Sequence, residues 1–153
     1  MGKETPKITG FHAHIYYGPE TREAAQRVRE GLSRFAVRLG SWHDEPVGPH
    51  PKSMYQVVFS PDQFGEVVPW LMLNREGLDV LVHPETGDSR AAHLDHSLWL
   101  GKKLKLNIGS FGALGEALRP EQGFYFLAQA SSRSLSDPDA DSENQIAKKP
   151  REG

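Results

Sequence analysis

Residues 10–17, Gly-Phe-His-Ala-His-Ile-Tyr-Tyr, decide how this chain is read. Aromatic and β-branched residues dominate the run and Gly18-Pro19 ends it, so the segment reads as a strand. Side chains alternate across a strand. Phe11, Ala13, Ile15 and Tyr17 therefore share one face, apolar enough to pack beneath helices. His12, His14 and Tyr16 share the other, which is expected to be the face without helices.

The neighbouring segments extend this pattern. Residues 20–39, with Val28, Leu32, Phe35, Val37 and Leu39 among charges, predict a helix closed by Gly40. Residues 41–46 are a short strand candidate, and residues 54–59 (MYQVVF) a clearer one. Between them, two prolines flank His50 and exclude regular structure. Ser60 and Pro61 suit the N-cap and first position of a helix over 61–74, which Pro69 should kink or split. Residues 78–83 (LDVLVH) predict a strand stopped by Pro84, and residues 96–100 another. A short helix over 111–118 and a last strand over 123–129 complete the reading.

This β-α-β-β-α-β-β order predicts an α+β, ferredoxin-like sandwich over residues 8–130, an antiparallel sheet with helices on one face and an extra edge strand. The uncovered face calls for a second copy of the chain, hence a homodimer forming an α/β barrel. In that topology the fourth strand runs antiparallel beside the first, which sets His83 next to His12. Residues 131–153 are rich in Ser, Asp and Lys and poor in apolar side chains, and read as a polar, mobile tail.

Composition narrows the function. The chain has 153 residues, a net charge of −2 and no cysteine. The charge offers no basic face for nucleic acid. No apolar run is long enough for a membrane helix, and the first residues show no signal-peptide core, so a cytoplasmic protein is expected. Thiolate metal sites and cysteine nucleophiles are excluded. Gly-X-Ser-X-Gly, P-loop and Gly-X-Gly-X-X-Gly patterns are absent.

What the sequence does offer is imidazole. Of seven histidines, six lie in segments read as strands or strand ends: His12, His14, His50, His83, His93 and His96. Any one alone reads as readily as a packed or surface residue. Together they suggest a site built from N and O ligands. His12, His14 and His83 can converge from two adjacent strands as a metal triad with open positions for water, substrate or dioxygen. His50 is held rigidly by its prolines and, with His96, is the candidate for acid–base work. His93 is a reserve ligand or acid–base group, and Tyr16 a candidate to line the pocket. His93 and His96 bracket Asp95, which with Glu85 is a candidate carboxylate. His43, beside Asp44 and Glu45, reads as a surface residue.

The runs FHAHIYY, VGPHPKSMYQVVF, PWLMLNREGLDVLVHPETGD and HLDHSLWLG, within residues 10–108, resemble the DOPA 4,5-dioxygenase family. The resemblance implies a dimeric ferredoxin-like domain that opens a catechol ring beside its two hydroxyls with O₂ and non-haem iron(II), another divalent metal being the alternative. It implies functional positions at His12, His14, His50, His83, His93 and His96 without dividing them between ligand and acid–base roles. The usual oxygenase iron site has two histidines and a carboxylate. A three-histidine site is the alternative here. The expected function is therefore an extradiol ring-cleaving dioxygenase acting on a DOPA-like catechol. A non-catalytic metal- or small-ligand-binding module of the same fold, and a cofactor-free enzyme acting on an aromatic, are the competing readings.

Overall fold

The computed structural model describes residues 2–111. The helix expected over 111–118, the strand over 123–129 and the tail over 131–153 lie outside the described residues, apart from Phe111 itself. The core is a five-stranded antiparallel sheet. Its strands are β1 (Gly10–Tyr16), β2 (Arg38–Leu39), β3 (Met54–Phe59), β4 (Val80–Glu85) and β5 (Leu98–Leu100). The spatial order is β2-β3-β1-β4-β5, so the first strand is central and the fourth lies beside it, as expected.

Alternation sorts each strand between two faces. Ala13 and Ile15 of β1, Val57 and Phe59 of β3, and Val80 and Val82 of β4 pack against α1 (Arg22–Leu32) and α2 (Phe64–Asn74). The helices contribute Ala25, Val28 and Leu32, and Val67, Val68 and Leu71. Their approach is close: a Cβ at Gly31 would come within 2.5 Å of the Trp70 ring. On the opposite face Tyr16, Met54 and Leu81 form a second apolar cluster with Leu106.

Several expectations are corrected. The first helix ends at Leu32 rather than running to residue 39. Phe35, Val37 and Leu39 recur with period two, and this strand-like spacing carries them onto the core edge, where Arg38 and Leu39 pair with Val58 and Val57. The strand expected over 41–46 is reduced to one isolated bridge between His43 and Met54. Pro69 does not split α2, which is continuous. The carbonyl it deprives of an amide partner belongs to exposed Gly65, where solvent can satisfy it.

The largest correction is to the uncovered face. A third helix, α3 (Ser89–Leu94), packs there against β4, so helices lie on both faces. Its N-cap is Asp88, whose side chain accepts a hydrogen bond from the Ala91 amide at 3.0 Å. Leu106 and Phe111 are buried, and Leu104 packs beside Leu106 in the second cluster. Much of the cover expected from a second copy is thus supplied by the same chain. Among the described residues no helix is long and apolar enough to cross a membrane.

Candidate metal centre

The register sets the site. His12 is paired with His83 across β1 and β4, and His14 lies opposite Leu81 on one side and Gln56 on the other. His14 and His83 are each only 2% exposed, and their Nε2 atoms stand 3.0 Å apart. His50 comes in from the loop before β3. Its amide bonds to the Val47 carbonyl, and the Asn107 amide bonds to the neighbouring Pro49 carbonyl. His93 comes from α3, and its ring centroid lies 3.9 Å from that of His83. The His14 and His50 rings are 4.1 Å apart.

Two groups of ring nitrogens could hold a metal ion: His12, His14 and His83, and His14, His50 and His93. The triad expected from the sequence is therefore assembled. The reserve ligand His93 is part of the same cluster but stands on a helix, not a strand. His96 does not join the cluster. It is exposed and lines, with Phe11, Phe64, Val82, His83 and Leu98, a cavity of about 360 Å³. Tyr16 is buried, donor or acceptor to His50 Nδ1 at 2.6 Å, with its ring stacked on Trp99. Of the two candidate carboxylates, Glu85 belongs to the site through His12, whose Nε2 is 3.0 Å from Glu85 Oε1. Asp95 is exposed beyond the end of α3.

Burial dictates protonation. It drives the His14 and His83 imidazoles well below their usual pKa, with neighbouring histidines adding to the effect. Burial lowers His93 too, and brings His50 down to about 3. These rings are neutral near pH 7. Glu85 is held below the usual carboxylate range, chiefly by its hydrogen bond with His12. Backbone contacts then choose tautomers. His83 Nδ1 donates to the Pro84 carbonyl at 3.2 Å, and His93 Nδ1 to the Ser89 carbonyl at 2.7 Å. Both leave a lone pair on Nε2, the form a metal requires.

The donor set fits a divalent transition metal. Two ligands about 2.1 Å from an ion and at right angles to each other lie about 3.0 Å apart, which is the His14–His83 separation. His14 Nδ1 is buried with no hydrogen-bond partner. His14 Nε2 meets the His83 Nε2 lone pair, so without an ion His14 donates there and leaves Nδ1 as an unpaired acceptor. Sequence reasoning missed the helical setting of His93. The Asp88-Ser89-Arg90-Ala91 run, an N-cap followed by helix formers, carried that signal.

An α+β domain with a buried cluster of neutral imidazoles able to hold a metal ion is thus defined by its own residues. Comparison with known proteins places it: the chain belongs to the Dopa 4,5-dioxygenase family, whose model matches residues 11–110. It is 37% identical over 111 residues to an uncharacterized 21.2 kDa protein of Botryotinia fuckeliana, covering 64% of this chain and 61% of that one. It is 31% identical over 114 residues to a DOPA 4,5-dioxygenase of Amanita muscaria, covering 68% of this chain and 50% of that one. The matched part thus spans between half and about three fifths of these two relatives. A crystal structure of a candidate dioxygenase from Nostoc punctiforme superimposes with a TM-score of 0.69 at 60% identity, over 72% of this chain and 96% of that one.

Proposed function

We propose that this protein is an extradiol ring-cleaving dioxygenase acting on a catechol of the DOPA type. One observation carries the reading: buried, neutral His14 and His83, with His12 beside them, present converging ring nitrogens in a chain of the Dopa 4,5-dioxygenase family. In this reading His12, His14 and His83 hold iron(II). When bound, that ion supplies open positions that bring the catechol oxygens and O₂ together. Both oxygen atoms enter the product, so the overall reaction needs no separate reductant.

The chain's own residues do the rest. Glu85 accepts from His12 Nε2 and orients that ring. The Pro84 carbonyl fixes His83 with its lone pair on Nε2. In this reading His50, held by its loop and kept neutral by burial against His14, would present a ring N–H to a catechol oxygen. Phe111 packs on His93 and helps keep water from the cluster.

The test is anaerobic reconstitution of the full chain with iron(II), followed by a catechol panel read by oxygen uptake and a yellow ring-opened product. One equivalent of O₂ consumed per ring opened supports the proposal. Tight metal binding without oxygen uptake on any catechol leaves a binding module, and absence of any metal dependence points to a cofactor-free enzyme.

A further inference from the structure

We propose that Tyr16 is a positioning residue: its hydroxyl donates to His50 Nδ1 and so holds the imidazole proton on Nε2. The argument starts from hydrogen-bond accounting. Tyr16 is 1% exposed, and its hydroxyl lies 2.6 Å from His50 Nδ1. Among the described residues it has no other hydrogen-bond partner. Were His50 Nδ1 the donor, the phenol proton would be buried with nothing to accept it, at a cost of about 1–3 kcal/mol. With the phenol donating, both groups at this contact are satisfied, and a neutral imidazole must carry its proton on the other nitrogen.

The phenol is itself held in place. Its ring stacks on Trp99, centroids 5.9 Å apart and planes 13° from parallel. Trp99 lies on β5, registered opposite Leu81, which in turn faces His14 across β1. Two elements of the sheet therefore fix the hydroxyl that fixes His50. The consequence separates the two candidate metal groups. A His50 with Nδ1 accepting from Tyr16 and Nε2 protonated has no lone pair to give a metal. The group His14, His50 and His93 is thereby disfavoured, and His12, His14 and His83 remain. His50 then offers an Nε2–H hydrogen-bond donor, a role in turnover that rests on the ring-cleaving reading above.

The deciding experiment does not depend on turnover. The full chain, labelled with ¹⁵N-histidine and freed of metal by chelation, is examined by long-range ¹H–¹⁵N correlation, with His50 assigned through His50→Gln. The proposal expects His50 as the Nε2–H tautomer in the unmodified chain. An Nδ1–H tautomer there overturns it, whatever any variant does. In Tyr16→Phe the expected result is a displaced His50 Nδ1 resonance, because that nitrogen loses the hydrogen bond it accepts, and an unmoved Nδ1 resonance in a folded Tyr16→Phe also overturns the proposal. If the protein turns over catechols, Tyr16→Phe should lower kcat by about 100-fold, the effect of misaligning a preorganised hydrogen-bond donor, with KM and metal affinity nearly unchanged. Equal loss of metal affinity would instead make Tyr16 a purely structural support. Failure of every catechol to react would sink the function proposed above while leaving the tautomer result standing.

Discussion

The two faces of the sheet bury side chains of opposite character to nearly the same depth. Ala13, Ile15 and Val57 on the side of α1 and α2 are 0% exposed, and His14 and His83 on the other side are 2% exposed. Hydrocarbon burial stabilises the fold by roughly 25 cal/mol per Å². Imidazole burial does the reverse unless each nitrogen finds a partner and the ring stays neutral. His83 and His93 find backbone carbonyls for Nδ1, whereas His14 Nδ1 finds none. One strand, β1, thus serves both purposes in alternate residues: one face holds the domain together, and the other keeps lone pairs dry and aimed.

The widest separation between the faces should come from paired truncations. His14→Ala is expected to abolish tight metal binding while leaving a cooperative thermal transition, because both apolar clusters remain in place. Leu71→Ala, on the helix face, should cost about 2–5 kcal/mol of stability while folded molecules keep their metal stoichiometry. Urea melts and metal analysis on both variants check this. Retained metal in folded His14→Ala would show that the wrong ligands were chosen.

Acid should act on the histidine face first. His14, His50, His83 and His93 all have folded-state pKa values below the ordinary 6.5. Between those values and 6.5 the unfolded chain binds more protons than the folded one. The stability at stake is therefore fully present above pH 6.5 and is lost as pH falls, by up to about 1.4 kcal/mol per pH unit for each ring. For His50 the decline should level off near pH 3. Metal-free protein melted across this range should show the decline. His50→Gln should reduce its slope, and a flat profile would contradict the assignment of buried neutral rings.

A smaller effect is expected at the rim. Glu85→Gln keeps a hydrogen-bond acceptor for His12 but removes the charge, and should weaken metal binding by about 10-fold or somewhat more with little change in stability. Isothermal titration with a divalent metal reads this directly. Indifference of the affinity to Glu85 would remove His12 from the ligand set.

Much of this was legible in the alternation of residues 10–17. It assigned His12, His14 and Tyr16 to one face, and the strand order then placed His83 beside His12, as the register has it. Two things escaped. The Phe35, Val37 and Leu39 spacing was absorbed into a helical reading, although its period was two. The cover over the sheet face that carries the histidines was also missed. It comes from a six-residue helix and from Leu104, Leu106 and Phe111 in segments with little regular structure, where no periodicity exists to be read. His93 was named for its chemistry, but its direction of approach depends on the Asp88 cap, a local signal that hydrophobic patterning ignores.

Anomalous diffraction from crystals of the full chain, loaded anaerobically with iron(II), tests the central claim most directly. The account predicts a single iron peak per chain about 2.1 Å from ring nitrogens of His12, His14 and His83, with His50 outside bonding distance. A peak bound by His14, His50 and His93 instead, or no peak at the cluster in a folded, iron-soaked crystal, would contradict it.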